Sequence, residues 1–239
     1  KHALLENTTG HSNVAVGALA LDANTTSNEN TAVGYSSLGA NTTGTRNTSV
    51  GFQCGVVNTT GNDNVVVGHN SLSSNTEGSQ NTSIGRGSLN ANTTANGNTA
   101  VGYFALLSNT TGNQNVAVGS LALDANTTGQ ALTAVGYNAG GSNTTAANTT
   151  VIGAGAGDAI TTGNNNTCVG SNSLSAVTTG TENVAVGTSA LAANTASNNT
   201  GVGGHALAAN TSGTQNVAVG SASLDANTTG GSNTALGHN

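Results

Sequence analysis

The chain has 239 residues, of which only 5% are charged and 2% aromatic, and its formal net charge is −6. Three basic residues are too few for a surface that binds nucleic acid or an anionic membrane, and no apolar run approaches the roughly 20 residues of a membrane-spanning helix. Because Met and Trp are absent and there are only two Phe, the core of an ordinary globular domain is not expected either.

One phrase recurs along the chain. Asn-Val-Ala-Val-Gly at 13–17 returns as Asn-Thr-Ala-Val-Gly at 30–34 and as Asn-Thr-Ser-Val-Gly at 47–51. The glycine that closes each phrase, here called the reference glycine, recurs every 17 residues, with a single 16-residue step over 187–203. The reference glycines are Gly17, Gly34, Gly51, Gly68, Gly85, Gly102, Gly119, Gly136, Gly153, Gly170, Gly187, Gly203, Gly220 and Gly237. This period predicts an ordered solenoid with one coil per repeat, not a disordered polar chain.

Each repeat is predicted to begin with a short strand that ends at the reference glycine. Val, Thr and Asn disfavour a helix and suit strands joined by tight turns. The residue before the glycine is always apolar, as in Val16, Val33 and Val50, and the residue two positions earlier is Val or Thr. Because residues two apart share a face of a strand, we predict that this pair points into the coil. The small residues between them, such as Ala15 and Ala32, are then expected to contact a second surface.

A leucine column follows each strand. Four residues after the reference glycine most repeats place a leucine, preceded by a small residue. The leucines of this column include Leu21, Leu38, Leu72, Leu89, Leu106 and Leu123. We predict that they form a second apolar ladder, and that the glycine turns a corner where a side chain would clash or φ is positive.

The repeat then continues with Asn-Thr-Thr-Gly. Its first Thr recurs without a break from Thr25 and Thr42 to Thr228. The Asn before it, as in Asn24 and Asn41, is replaced only by Ile160 and Val177. Apolar replacements indicate a partly buried position, so we predict that these amides bond one another from coil to coil. A second Asn column, which includes Asn13, Asn30, Asn47 and Asn64, accepts Leu132 and is predicted to behave alike.

These columns together predict an all-β fold, a parallel β-solenoid of about 14 coils with a 17-residue repeat. Residues 1–239 are expected to form a single repeat array, with the one 16-residue coil at 187–203. Because the repeat runs to both ends, the chain is interpreted as a fragment of a longer fibre protein.

The phrase also resembles that of a known family. NVAVGALALDA at 13–23 and NVAVGSLALDA at 115–125 are similar to the head repeats of YadA-type trimeric adhesins and to haemagglutinin-like repeats of phage and viral fibres. The similarity covers essentially the whole chain, although the family's repeat is usually shorter and Asn-Thr-Thr-Gly adds a longer turn here. The resemblance implies a left-handed β-roll, a homotrimer around one axis, and a role in attachment or as a stalk.

Groups that carry chemistry are present but scattered. Gly-Ala-Gly-Ala-Gly-Asp at 153–158 looks like a phosphate-binding loop, but such a loop needs a following helix and none is predicted. The five His and nine acidic residues do not cluster. Cys54 and Cys168 occupy different columns about seven coils apart, so packing rather than a disulfide is expected. We therefore predict no catalytic residue, no metal site, no cofactor and no enzymatic activity.

One column is irregular. The residue after the reference glycine is usually small, but over five consecutive coils it is large. These residues, here called the stripe, are Tyr35, Phe52, His69, Arg86 and Tyr103. Aromatic rings and arginine are common at binding hot spots. The stripe is therefore the candidate contact for a host-surface glycan or protein receptor, with ordinary surface variation or filling of the interface between chains as the alternatives.

The expected function is that of a structural or adhesive fibre segment, a rigid trimeric shaft or head outside the cell, on a cell surface or on a virion. Its expected partner is itself, as a homotrimer or an end-to-end fibre, with no nucleic acid and no membrane insertion by this segment. Two alternatives stay open. One is an ice-binding solenoid that uses the Thr25 column, and the other is the subunit of a polymerised extracellular filament.

Overall fold

The computed structural model describes residues 2–239, which contain no helix and therefore none that could cross a membrane. One compact unit ends at Val118, and a second spans Gly119–Asn239. The first unit contains β1–β7, which are Val14–Val16, Thr31–Val33, Thr48–Val50, Val65–Val67, Thr82–Ile84, Thr99–Val101 and Val116–Val118. The second contains β8–β14, which are Thr133–Val135, Thr150–Ile152, Thr167–Val169, Val184–Val186, Thr200–Val202, Val217–Val219 and Thr234–Leu236.

In each unit, successive strands pair in parallel and in the register that the period predicts. Ala15 lies opposite Ala32, 17 residues on, with Val16 opposite Val33. Within the described residues the chain is thus an all-β parallel solenoid of about 13 coils, because fourteen strands delimit one coil fewer than the predicted 14. The predicted solenoid and its 17-residue repeat are confirmed. The single array over 1–239, the handedness and the number of chains stay predictions.

The short coil keeps its strand in register. Val184 pairs with Thr200, only 16 residues on. Ala196 O accepts hydrogen bonds from the side-chain amides of Asn194 (2.9 Å) and Asn183 (2.9 Å). In most other coils the glycine after Thr-Thr accepts these two hydrogen bonds. Ala196 accepts them here but follows a single Thr, so the second Thr is the residue that this coil lacks. The missing residue therefore shortens a turn and leaves the sheet intact.

The predicted direction of the strand side chains is wrong. The middle residue of each strand points into the coil, since Ala32, Ala100 and Cys168 are fully buried, whereas Val16 is 56% and Val50 37% exposed. The residues of the predicted inner ladder, Val16, Val33 and Val50, therefore face outward, although they do align from coil to coil. The interior is too narrow for two branched residues per strand.

Packing around Gly140 shows how narrow the interior is. A Cβ added to this glycine would lie 3.0 Å from Leu123 Cδ2 and 3.2 Å from Val151 Cγ2. An added side chain at such distances would press on both neighbours. The interior of a coil therefore has room for the middle residue of a strand and for one leucine. The predicted leucine ladder is confirmed, because its members from Leu21 to Leu207 are at most 1% exposed.

The reference glycines form the corner after each strand, as predicted. Gly51 has φ +144°, and a Cβ there would lie 2.6 Å from the carbonyl oxygen of Gly68 in the next coil. Any side chain would meet both backbone strain and a collision with the next coil. Gly44, in the Asn-Thr-Thr-Gly turn, lacks a positive φ, but its Cβ would collide with Gly61 O.

Candidate binding surfaces

The Asn24 column forms a buried ladder, as predicted. The side-chain amide of Asn41 donates to Asn24 Oδ1 (3.3 Å), and that of Asn58 donates to Asn41 Oδ1 (2.9 Å). Each amide also satisfies the turn of its own coil, as when Asn41 Nδ2 donates to Gly44 O (2.9 Å). Because Asn24, Asn41 and Asn58 are at most 1% exposed, the Asn-x-Thr sequons that they start are sterically closed in the folded chain.

The second Asn column is buried as well. Asn47 Nδ2 donates to Gly61 O (2.9 Å), and Asn47 N donates to Asn30 Oδ1 (2.9 Å). Leu132, which stands in the same column, is 1% exposed. An apolar replacement did therefore mark an interior position, as predicted.

The Thr25 column directs its hydroxyl groups back to the chain. Thr42 Oγ1 donates to Thr59 O (3.1 Å), and Thr59 Oγ1 donates to Thr76 O (2.9 Å). Thr25 O accepts the corresponding bond from Thr8 Oγ1 (3.0 Å). A hydroxyl group has one donor, so these threonines cannot also donate to an external ligand or to ordered water.

The outward residues of the strands form one face, here called the outer face. It carries two columns in each unit, one of Val or Thr and one of Val, Ile or Leu, without any charged residue. Val14 is 49% exposed, Val65 40% and Ile84 37% in the first unit, and Val217 is 38% exposed in the second. In both units the outer face therefore exposes apolar side chains, interspersed with threonines, that have no partner in the single chain.

The stripe is an ordered stack along one edge of the first unit. The ring centroids of Tyr35 and Phe52 lie 5.3 Å apart with an angle of 16° between the planes, and those of Phe52 and His69 lie 5.1 Å apart at 10°. Both faces of the Phe52 ring are thus covered by neighbouring rings. Its 45% exposure is that of the ring edge.

At the other end of the stripe, two rings hold a cation. Arg86 Cζ lies 5.9 Å from the centroid of the Tyr103 ring and 6.0 Å from that of Phe104. The two rings are 4.0 Å apart and tilted by 33°. Phe104 fits because Gly87 has no side chain, since a Cβ there would lie 2.5 Å from Phe104 Cδ1. The five predicted stripe residues thus form two contact groups on successive coils, Tyr35 with Phe52 and His69, and Arg86 with Tyr103.

Sequence reasoning missed two residues of this region. Phe104 follows Tyr103 directly. The glycine at the equivalent position one coil earlier, Gly87, leaves room for the Phe104 ring and could have indicated its contact with Arg86. Tyr137, in the second unit, belongs to the same column as the stripe and is 62% exposed. The column alone could have identified it, although a serine at 120 separates it from the consecutive run.

The described residues contain no group of three His, Cys, Asp or Glu side chains that could hold a metal ion. Both cysteines are free and buried. Burial raises the pKa of the Cys168 thiol to about 12, so this group stays protonated and unreactive at neutral pH. Arg46 forms an ion pair with Asp63 (Nε to Oδ1, 2.6 Å), which lowers the pKa of that carboxyl group.

The chain matches no protein-family model, and no curated protein or solved structure is significantly similar to it. The likeness to YadA-type head repeats therefore rests on the residues of the repeat alone. Its implications for chain number and role stay predictions.

Proposed function

We propose that the chain is a non-enzymatic structural or adhesive fibre segment that assembles through its outer face into a homotrimer outside the cell, on a cell surface or on a virion. The observation that carries the proposal is the apolar outer face, exposed along both units. Exposed apolar surface of this kind marks an interaction site in soluble proteins.

A second copy of the chain is the partner that fits this face best. An identical chain presents the same columns at the same coil spacing, about 4.8 Å, so neighbouring chains can match coil by coil. Since the face carries no charge, the net charge of −6 stays on other surfaces and does not oppose contact there. Each valine side chain that becomes fully buried contributes up to roughly 1.5–3 kcal/mol. The number three comes from the family resemblance.

The proposal is tested by the mass of the chain in solution, measured by light scattering and accompanied by negative-stain images. A trimer of rods is expected. The double variant Val50→Glu/Ile84→Glu, which places two charges on the outer face, should yield monomers with an unchanged circular dichroism spectrum. The control Gln80→Glu/Gln114→Glu adds the same charge at exposed turn positions and should leave the trimer intact.

Other masses have defined meanings. A monomeric wild-type chain would overturn the proposal. Indefinite filaments that the Val50→Glu/Ile84→Glu variant does not dissolve would also overturn it, and would favour the polymerised extracellular filament.

Ice binding is the second candidate, through a different threonine column from the one predicted. In the Thr25 column, hydroxyl groups such as those of Thr42 and Thr59 already donate within the chain, whereas Thr31, Thr48 and Thr82 lie on the outer face beside the valines. Thermal hysteresis that is present in the wild type and lost in Val50→Glu/Ile84→Glu would favour this function. Because a trimer would cover the same face, the two functions exclude each other.

A further inference from the structure

We infer that the stripe binds a saccharide that carries a single carboxylate, with Arg86 as the contact for the anion. The inference rests on the adhesive part of the proposed function and names the class of partner. It follows from the environment of Arg86, the charge of the chain and the shape of the ring stack.

Arg86 is an exposed cation without an anionic partner among the described residues. The one ion pair in that part of the chain joins Arg46 to Asp63. Arg86 is instead held over the rings of Tyr103 and Phe104. Such cation–π contacts fix the position of a guanidinium group without neutralising its charge. Its planar set of N–H donors is thus free and pre-organised to bind a carboxylate, which it can do through two parallel hydrogen bonds.

The charge of the chain favours a ligand with one negative charge over a polyanion. Of the three basic residues in the sequence, Arg46 is neutralised by Asp63 and Lys1 lies outside the described residues. A nucleic acid or a heavily sulfated glycan would meet one free arginine on a chain of net charge −6 and would be repelled elsewhere. A single carboxylate gains the contact with Arg86 at little such cost.

The remainder of the stripe suits a sugar ring. The rings of Tyr35, Phe52 and His69 stack on one another, so between Tyr35 and His69 the stack offers ring edges and no wide flat platform. The exposed edges of these rings can contact the C–H groups of a saccharide, and the guanidinium group of Arg86, one coil after His69, can bind its polar groups.

The test is isothermal titration calorimetry on the full chain with four probes: sialyllactose, glucuronic acid, neutral lactose and a sulfated heparin oligosaccharide. Sialyllactose is expected to bind at least about tenfold more tightly than lactose, because a charge-assisted hydrogen bond contributes about 1.5–3 kcal/mol. Comparison with glucuronic acid shows which source of the carboxylate is preferred. Arg86→Gln should reduce the affinity for sialyllactose to that for lactose, whereas the matched control Arg46→Gln should leave it unchanged.

A second variant guards against a folding defect. Arg86→Ser introduces the residue that the same column carries at 120, 171 and 221, so its coil should form normally and binding should be lost as in Arg86→Gln. The inference is overturned by equal affinities for sialyllactose and lactose, by preference for the heparin oligosaccharide, or by undiminished binding in both Arg86 variants.

Mass measurements on the same samples separate the ligand site from the assembly. Trimers that fail to bind sialyllactose would overturn the ligand site alone, and monomers that bind it would overturn the trimer alone. A change of mass in Arg86→Gln would assign the stripe to the interface between chains and would also overturn the inference.

Discussion

The Asn24 column behaves differently in the two units. In the first unit it is an unbroken ladder, in which Asn58 donates to Asn41 (2.9 Å) and Asn75 to Asn58 (2.8 Å). In the second unit Ile160 and Val177 interrupt it, and both are fully buried. The interior therefore accepts either an amide chain or a block of apolar side chains, since an apolar block needs no hydrogen-bond partners.

The cost of the interruption lies at its border. Asn143 precedes Ile160 in the column, and Asn143 Oδ1 is buried without a hydrogen-bond partner. In an intact ladder the residue one coil later supplies an amide donor, which Ile160 does not have. We interpret this unsatisfied acceptor as the cost of a break, independent of the length of the apolar block, and the following predictions test the interpretation.

Among changes to the amides of the column, the largest effect is expected for Asn58→Ile, which introduces a break into the intact ladder. It removes the donor to Asn41 Oδ1, which has no other donor, and a buried unsatisfied group costs about 1–3 kcal/mol. With the lost bonds to the turn, the free energy of unfolding should fall by about 3 kcal/mol. Guanidinium denaturation measures this change. Asn62→Ala, which alters a half-buried amide of the turn, serves as the control and should cost less than half as much.

A smaller effect is expected when the break is lengthened. Asn75→Val alone should orphan Asn58 Oδ1, but the pair Asn58→Ile/Asn75→Val reproduces the apolar block of the second unit and leaves only Asn41 Oδ1 unsatisfied. The double variant should therefore be about 1–3 kcal/mol more stable than the sum of the single changes predicts. Additive costs in this double-mutant cycle would refute the border interpretation.

Ile160→Asn should change stability still less. The new amide can donate to Asn143 Oδ1, but its own oxygen then faces Val177, so the unsatisfied acceptor moves by one coil. We expect the free energy of unfolding to stay within about 1 kcal/mol of the wild type. Ile160→Ala, which leaves a cavity in place of a buried side chain, should cost about 2–5 kcal/mol and shows that the site is sensitive to packing.

The smallest effect concerns pH and again distinguishes the units. Burial raises the pKa of Asp158 in the second unit, whereas the Arg46 hydrogen bond lowers that of Asp63 in the first. Because the folded state favours the protonated Asp158, its contribution to stability is present below the pKa of the unfolded chain and is lost as pH rises through the raised value. Asp158→Asn should thus stabilise the chain at pH 7 by less than about 1 kcal/mol.

The same substitution at acid pH is the control. At about pH 3 the unfolded chain is itself largely protonated, so Asp158→Asn should have no effect there. Asp63→Asn should behave oppositely, because the Asp63 contribution is present above the pKa of the unfolded chain and is lost as pH falls through the lowered value. Denaturation curves at the two pH values check both signs.

Much of the interior could be predicted from substitutions within the columns. Ile160 in place of Asn, and Leu132 in the second Asn column, indicated buried amides, and both columns are buried ladders. The leucine column was predictable because only large apolar residues recur at that spacing in most coils. The stripe was predictable as a set of residues but not as a stack, because ring angles and the cation over Phe104 depend on side-chain conformations that a column does not specify.

The sequence by itself determined the period, the strand register, the leucine ladder and the two Asn ladders, because a strict repeat puts equivalent residues above one another in any parallel solenoid. Only the tertiary structure decided which side of the strand is inside. Alternation shows that Val14 and Val16 share a face and that Ala15 has the other, but both faces are apolar and the pattern is symmetric between them. Closure of a coil too narrow for paired valines breaks that symmetry, buries the small residue and leaves the valines outside.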